Sequence, residues 1–163
     1  MASDKHIQEH RSIQIQYGAL PYRVTEQGHL EILLITSRGT GRWIIPKGWP
    51  MKDRKPAKAA EQEAFEEAGL RGDIGDKPIG TFTYEKFLDV PGVSLPCAVQ
   101  VFPLRVKRQL GAWPEDSQRR TQWFTAAEAA ARVDEADLRA LIMDFEAKFN
   151  LRKKPESSIA DTA

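Results

Sequence analysis

Apolar and polar residues are distributed along the chain in a way that predicts six strands and three helices. Apolar runs indicate strands at residues 13–24, 30–36, 43–45, 81–88, 95–106 and 121–124. Composition and helical spacing indicate helices at residues 56–68, from residue 125 onward, and at 134–149. The apolar positions of the last helix are expected in the core: Leu138, Leu141, Ile142, Phe145 and Phe149. This order of elements predicts an α/β (α+β) fold with a mixed sheet packed between helices.

The ends of two predicted helices have clear sequence signals. Pro56 suits the first turn of a helix, and Gly69 suits the left-handed residue that ends one. Thr125 and Glu128 have the spacing of a capping box. Residues 95–101 form an apolar strand that would pair with a second chain if it lay exposed at a sheet edge.

The composition is that of a single globular domain. The chain has 163 residues, of which 41% are hydrophobic and 29% are charged, and this length is enough to bury a core without disulfides. Because both ends are polar, we divide the chain into a flexible N-terminus (1–12), one domain (13–150) and a disordered C-terminal tail (151–163). The net charge of +1 provides no general attraction to nucleic acid or to membranes. A small-molecule partner is therefore favoured, and the oligomeric state is left open.

Two further features concern location and chemistry. The N-terminal segment lacks an apolar signal core and no stretch approaches the roughly 20 apolar residues that span a bilayer, so we expect a cytoplasmic protein. Cys97 is the only cysteine and lies in an apolar run without a nearby base in sequence. We expect it to be a small buried residue and not a nucleophile.

The predicted helix at 56–68 has three acids on one face. At about 100° per residue, Glu63, Glu66 and Glu67 fall within roughly 100° of one another. Like charges at this spacing destabilise an isolated helix, so either a cation lies there or the face is an ordinary acidic surface in water. Oxygen ligands favour Mg²⁺ or Mn²⁺ over Zn²⁺. In the loop before the helix, Gly48 has no side chain and can bring a backbone carbonyl close to such an ion.

The segment 48–70 resembles the signature of the Nudix hydrolase family. That signature is a glycine, five residues, a glutamate, seven residues and then Arg-Glu-apolar-x-Glu-Glu-x-Gly-apolar. Gly48, the three helix acids, Gly69 and Leu70 match it at the correct spacing. Two positions depart from it, because Arg54 stands where the signature has its first glutamate and Gln62 stands where it has the arginine.

The resemblance extends beyond the signature, over about residues 13–133. Residues 37–43, 113–116 and 119–124 are similar to the branch of diphosphoinositol polyphosphate and diadenosine polyphosphate phosphohydrolases. The family fold hosts many substrates, so the flanking segments are the only guide to the branch.

The resemblance implies a Nudix-type α-β-α sandwich and a pyrophosphatase-type hydrolase that uses Mg²⁺, with Mn²⁺ as an alternative. It implies that Glu63, Glu66, Glu67 and the Gly48 carbonyl bind metal. Glu66 and Glu63 would be catalytic, with Glu66 binding a metal-bridging water or accepting its proton. Glu85, on the strand after the helix, is either a further base or ligand or an ordinary exposed strand residue.

Cations are expected to meet the phosphate oxygens that a metal leaves free. The candidates are Arg38, Arg42, Lys47, Arg119 and Arg120. Each of them taken alone is equally an ordinary surface charge. Trp43 lies in a strand and is expected in the core, whereas Trp49 lies beside Gly48 and is a candidate for stacking on a nucleobase.

The predicted function is Mg²⁺-dependent cleavage of a phosphoanhydride in a nucleoside diphosphate-linked or polyphosphate substrate. Diadenosine polyphosphate and diphosphoinositol polyphosphate are the first candidates. The same fold acting on ADP-ribose, a nucleoside triphosphate, a nucleotide sugar or capped RNA is the first alternative. A catalytically silent domain that binds a nucleotide or a protein is the second, and Arg54 and Gln62 favour it. The simplest alternative is an α/β domain with an acidic surface helix.

Overall fold

A computed structural model describes the backbone of residues 12–161 and the side chains of residues 12–153. The N-terminal segment expected to be flexible lies almost entirely outside the described residues. The described part contains eight strands: β1 (Gln14–Val24), β2 (Leu30–Thr36), β3 (Trp43–Ile44), β4 (Lys47–Gly48), β5 (Leu70–Ile74), β6 (Gly80–Phe87), β7 (Ser94–Gln109) and β8 (Thr121–Thr125). Its three helices are α1 (Pro56–Ala68), α2 (Ala126–Arg132) and α3 (Ala136–Asp161).

The strands form one mixed sheet with β1 near its centre. The main path through the sheet is β3-β2-β1-β7-β5, with β4 paired to β1, β6 to β7 and β8 to β2. The pairing of β1 with β7 is parallel, and every other pairing is antiparallel. Helix α1 packs on β1 and β5, α2 packs on β2 and β8, and α3 packs on β6 and α2. The mixed sheet between helices that the sequence predicts is therefore confirmed.

The core follows the predicted apolar pattern. In β2, the four residues from Ile32 to Ile35 are inaccessible to solvent, as expected for a strand covered on both faces. Helix α1 faces the sheet with a stripe of small residues, which brings its backbone close to the strands: Ala57, Ala60, Ala64 and Ala68 are all buried. In α3, Leu138, Leu141 and Ile142 are buried, and Phe145 and Phe149 pack against the core at its margin.

The position of β7 corrects one expectation. Residues 95–101 do not lie at an edge, because β7 bonds to β1 on one side and to β5 and β6 on the other. Cys97, Val99 and Val101 in this stretch are buried, so Cys97 has the small-residue environment that was expected. Because its hydrogen-bonding edges are already taken, this strand has no open edge to offer a second chain.

The last helix is longer than the sequence analysis predicts. It continues past Phe149 to Asp161, so the backbone of residues 151–161, expected as a disordered tail, is helical here. Leu151, Arg152 and Lys153 all favour helix, and the Lys153 ammonium donates to the Gly28 carbonyl in the β1–β2 turn. The boundary of the domain at residue 150 stays a prediction. None of the helices in the described part of the chain has the length and apolar composition needed to cross a bilayer.

Candidate active site

Helix α1 begins and ends at the residues that its sequence predicts. Pro56 occupies the first turn, and Gly69 adopts the left-handed conformation with φ 68°. The Gly69 N–H donates to the Phe65 carbonyl and closes the last turn. The helix thereby presents Glu63 and Glu67 to β4, the two-residue strand that precedes it.

The two acids differ in their contacts with β4. Glu67 is only 5% exposed, and its Oε2 accepts a hydrogen bond of 3.0 Å from the Lys47 N–H. Glu63 is half-buried and packs against Gly48, where a Cβ atom would collide with its carboxyl group. Gly48 thus leaves room for this carboxylate, which a side chain at position 48 would force to move.

Burial makes both carboxyl groups weaker acids than a free glutamate side chain. It raises the pKa of Glu63 from 4.5 to about 7, with the negative charges of Glu66 and Glu115 adding to the effect. Burial also raises the pKa of Glu67, since the opposing influence of Arg119 and of the Lys47 N–H offsets only part of the desolvation. The pKa of Lys47 is lowered, again chiefly by burial. Carboxylates that resist ionisation in this way gain from a nearby cation.

Arg119 is the cation that already contacts Glu67. Its Nη2 lies 3.1 Å from Glu67 Oε1 and its Nε lies 2.9 Å from Glu115 Oε1. Its Nη1 donates to the Thr36 carbonyl at 3.2 Å. With a side chain that is only 9% exposed, Arg119 is a fixed part of the site, and these contacts hold it in a single orientation.

The loop between β7 and β8 reaches the site because it caps the end of α1. The Glu115 N–H donates to the Glu66 carbonyl at 3.0 Å, and the Trp113 indole N–H donates to the Glu67 carbonyl at 3.2 Å. These bonds satisfy carbonyl groups that the end of a helix leaves unpaired. They also place Glu115 and Arg119 next to the two acids of α1.

These residues surround a cavity of about 320 Å³. Six residues predicted for the site line it: Arg38, Lys47, Gly48, Glu63, Glu67 and Arg119. Trp49, the candidate for stacking, lines it as well. Five lining residues were not predicted: Gln16, Pro50, Met51, Lys86 and Glu115. Large cationic and acidic groups thus share one concave surface, as in a site for an anionic ligand and a metal ion.

Comparison with known proteins gives the family of the chain. The NUDIX domain profile matches residues 16–145, which is most of the chain. The chain belongs to the Nudix family. Nudix hydrolase 12 of Arabidopsis thaliana, a mitochondrial protein, is 32% identical over 126 residues, covering 69% of this chain and 62% of the relative. Nudix hydrolase 16 of the same plant, also mitochondrial, is 31% identical, covering 69% of this chain and 68% of the relative.

Two further relatives fall in the branch that the flanking segments resemble. Diphosphoinositol polyphosphate phosphohydrolase 3-beta of Bos taurus is 34% identical over 103 residues, covering 61% of this chain and 57% of that protein. The C. elegans Ap4A hydrolase binary complex superposes with a TM-score of 0.64 at 22% identity, covering 85% of this chain and 98% of that one; at this identity the likeness concerns the fold. The match covers 62–64% of the length of the first curated relatives, slightly less than two thirds.

The two departures from the Nudix signature contact each other. Arg54 Nη1 lies 3.4 Å from Gln62 Oε1, and Gln62 Nε2 donates to Glu66 Oε1 at 3.0 Å. In the signature a glutamate and an arginine would occupy positions 54 and 62. Here the positive charge has moved to position 54, and a neutral amide holds the Glu66 carboxylate.

This contact takes Glu66 away from the cavity. Glu66 is not among the residues that line it, although Glu63 and Glu67 are. Within the described residues, no three carboxylate, imidazole or thiolate side chains converge as a preformed metal cluster. The part of the metal site that is already assembled is therefore the pair of Glu63 and Glu67 beside Gly48. These oxygen donors fit a divalent ion, and members of the Nudix family generally use one.

Two of the arginines predicted to bind phosphate, Arg42 and Arg120, do not line the active-site cavity. Arg42 pairs with Glu135 and lies 3.8 Å from Asp134, at a neighbouring cavity that Glu85 also lines. The Arg120 guanidinium lies 5.8 Å from the centre of the Trp43 ring. The sequence could not show this, because the acids that capture Arg42 lie more than 90 positions away along the chain.

The remaining aromatic and acidic candidates have structural partners. Trp43 packs edge-on against Phe124 with 5.2 Å between ring centres, in the core environment expected for it. Glu85 accepts a hydrogen bond of 2.9 Å from the Ser94 hydroxyl and does not line the active-site cavity. Lys86, the next residue of β6, does. Alternation along β6 is the signal that would have separated the two, since neighbouring strand residues point to opposite faces.

Proposed function

We propose that this chain hydrolyses a phosphoanhydride bond with the help of Mg²⁺, with Mn²⁺ as an alternative ion. The substrates that we propose first are diadenosine polyphosphate and diphosphoinositol polyphosphate. The observation that supports the proposal most strongly is the pair of desolvated acids, Glu63 and Glu67, at Gly48 in a cavity with cationic side chains. A metal-assisted hydrolase needs acidic ligands at the point where the phosphates of the substrate enter.

One group of side chains would bind the metal ion, and another would bind the phosphates of the substrate. Glu63, Glu67 and the Gly48 carbonyl would hold the ion, which when bound would polarise the attacked phosphorus and neutralise phosphate charge. Arg38, Lys47 and Lys86 would donate hydrogen bonds to phosphate oxygens, and Arg38 would exchange the Gln118 side-chain oxygen, to which it donates at 2.9 Å, for a phosphate oxygen. Glu66 accepts a proton or orients water only if its carboxylate turns from Gln62 toward the cavity, so we propose it as a base that moves.

A domain that binds without cleaving is the second candidate. The observation that favours it is Arg119, whose guanidinium already neutralises Glu67 and Glu115. In such a domain Arg119 would take the place of the ion, and added Mg²⁺ would bind weakly. Mg²⁺ affinity measured by calorimetry therefore separates the two candidates before any substrate is known.

The test of the enzyme proposal uses Glu67→Gln, which keeps the shape of the side chain and removes its charge. We expect the variant to fold and to lose at least about 100-fold of the Mg²⁺-dependent turnover. Glu61→Gln is the matched control, because Glu61 lies on the same helix and pairs with Lys58 outside the cavity. Products would be identified by mass spectrometry with diadenosine hexaphosphate, a diphosphoinositol phosphate, ADP-ribose and a nucleoside triphosphate. A folded Glu67→Gln protein with near-full turnover would show that the site is misassigned.

A further inference from the structure

One wall of the active-site cavity is formed by an aromatic side chain that the core does not use. Trp49 follows Gly48 directly and lines the cavity together with Pro50 and Met51. Its side chain remains 41% exposed. A single exposed apolar residue is ordinary on a protein surface, but this one lies next to the glycine that cradles Glu63. Its indole is therefore within reach of any group attached to phosphates bound there.

A second residue of the cavity wall, Lys86, lies over the face of the Trp49 indole. Lys86 Nζ lies over the Trp49 ring at 6.0 Å from its centre, and both residues line the cavity. Groups in stacking contact are about 3.5–4 Å apart, so Lys86 leaves the ring face uncovered. Among the side chains that the structure describes, no aromatic ring pairs with Trp49. The indole is thus a part-exposed wall of the cavity without an aromatic partner among these residues, and a lysine ammonium lies above its face.

The charge of the cavity distinguishes between the two proposed substrates. Its lining contains four cations and three acids. Arg119 is paired with Glu67 and Glu115, and Arg38 donates to the Gln118 side-chain oxygen at 2.9 Å, so fewer than four of the cations are available to a ligand. A diphosphoinositol polyphosphate has phosphate on nearly every ring carbon and no flat π-face, so it needs many free cations. A dinucleotide polyphosphate has a short run of phosphates with a nucleobase at each end. A part-exposed indole beside a small number of available cations fits the second kind of molecule.

We infer that Trp49 is a specificity-determining residue that stacks on a nucleobase, so that the cavity accepts a nucleoside polyphosphate in preference to a diphosphoinositol polyphosphate. The inference rests on the proposed function for the placement of the phosphates at Glu63 and Glu67. Base–aromatic stacking contributes about 1–3 kcal/mol per base, which corresponds to roughly 5- to 150-fold in affinity. Lys86 adds a cation above the stacked base.

The test compares two ligands that differ only by the nucleoside. They are adenosine 5′-(α,β-methylene)diphosphate and methylenediphosphonate, and both resist cleavage at the bridging carbon. Dissociation constants in Mg²⁺ would be measured by calorimetry for the wild type, Trp49→Ala and Trp49→Phe. Phe87→Ala is the matched control, because Phe87 is an exposed aromatic residue, 77% accessible, that does not line the active-site cavity.

We expect Trp49→Ala to weaken binding of the nucleotide by at least about 5-fold and to leave methylenediphosphonate within about twofold. Trp49→Phe should recover part of the loss, and Phe87→Ala should have no effect. A wild type that binds both ligands equally, or a Trp49→Ala variant that weakens both alike, would overturn the stacking role. Neither measurement needs turnover. If base-dependent binding through Trp49 is present and no substrate is cleaved, the stacking role holds and the proposed hydrolase fails.

Discussion

Glu63 resists ionisation in the folded protein, and this should make stability depend on pH. Its pKa is about 7 in the fold, against 4.5 for the free side chain, because of burial and the charge of Glu66. A carboxyl whose pKa rises on folding stabilises the protein fully below the unfolded pKa, and this contribution is lost as pH rises through the folded pKa. The buried Glu67 acts in the same direction.

We therefore predict that the melting temperature in chelator falls as pH rises from about 5 to about 7.5. Glu63→Gln should reduce this slope, because its amide does not ionise, and Glu61→Gln should not. Mg²⁺ should raise the melting temperature of the wild type more at the upper end of the range, where the acids are charged. The measurement is differential scanning fluorimetry across pH with and without the ion. An unchanged slope in Glu63→Gln would mean that this carboxyl is not desolvated.

Arg38 and Arg42 provide a second prediction at the scale of single residues. Arg38 lines the active-site cavity, with a side chain that is 60% exposed, whereas Arg42 is paired with Glu135. Arg38→Ala should raise KM several-fold with little loss of stability. Arg42→Ala should leave KM within about twofold and lower stability, because the Glu135 carboxylate then loses its cation. Steady-state kinetics and urea unfolding check both. A larger KM effect in Arg42→Ala would return this residue to the substrate site.

Three of the predicted site residues that the structure brings together also lie close to one another in the sequence. Gly48, Glu63 and Glu67 belong to one strand–loop–helix unit, so their spacing alone places them on a common surface. Gln16 and Glu115 come to the same cavity from distant parts of the chain, through strand pairing and through the cap on α1. Their positions depend on tertiary contacts, and no local pattern encodes those contacts.

At the scale of secondary structure, the elements with strong end signals were predicted well. Helix α1 has the bounds that Pro56 and Gly69 indicate, and α2 begins with the predicted capping box, in which the Thr125 hydroxyl accepts from the Glu128 N–H. Two strands were missed. β4 has only two residues. β5 has five residues with a glycine at its centre, and it pairs along its length with the long β7.

Gly69 allows a test of how tightly the end of α1 packs against the loop between β7 and β8. Its φ of 68° disfavours a side chain, and a Cβ atom would also collide with the Trp113 indole, with Cγ at 2.9 Å. Gly92 is a matched control, because its φ is 76° and a Cβ atom there would meet nothing within 4 Å. We predict that Gly92→Ala costs about 1 kcal/mol, the backbone penalty alone, and that Gly69→Ala costs at least about 2 kcal/mol.

Urea unfolding of both variants gives the comparison. Gly69→Ala should also lower Mg²⁺-dependent activity, because Trp113 and Glu115 hold the loop that brings Arg119 to Glu67. Equal losses of stability in the two variants would mean that the Trp113 indole moves aside at no measurable cost. The contact between this indole and the end of α1 would then contribute little to stability.

At the scale of the whole molecule, the class of fold could be predicted and the order of strands could not. The alternation of elements favours a mixed sheet between helices, and that sheet is present. The parallel pairing of β1 with β7 joins segments about eighty residues apart, from Gln14 with Cys97 to Tyr22 with Arg105. Such pairs are selected by the burial that the complete sheet achieves. This is why residues 95–101 look like an edge strand in sequence and lie inside the sheet.

The limits of the folded domain are the last property of the whole molecule that can be tested. The first part of α3 buries Leu138 and Ile142 completely, whereas Leu151 is 63% exposed. Residues 151–153 are exposed, and exposed helical residues contribute little to stability. We predict that a chain ending at residue 150 unfolds in urea within about 1 kcal/mol of the full chain and keeps its Mg²⁺-dependent activity. A chain ending at residue 137 should lose cooperative unfolding, since it lacks the apolar face of α3. If the first truncation costs several kcal/mol, the folded domain continues through α3 toward Asp161, and the predicted boundary at residue 150 is wrong.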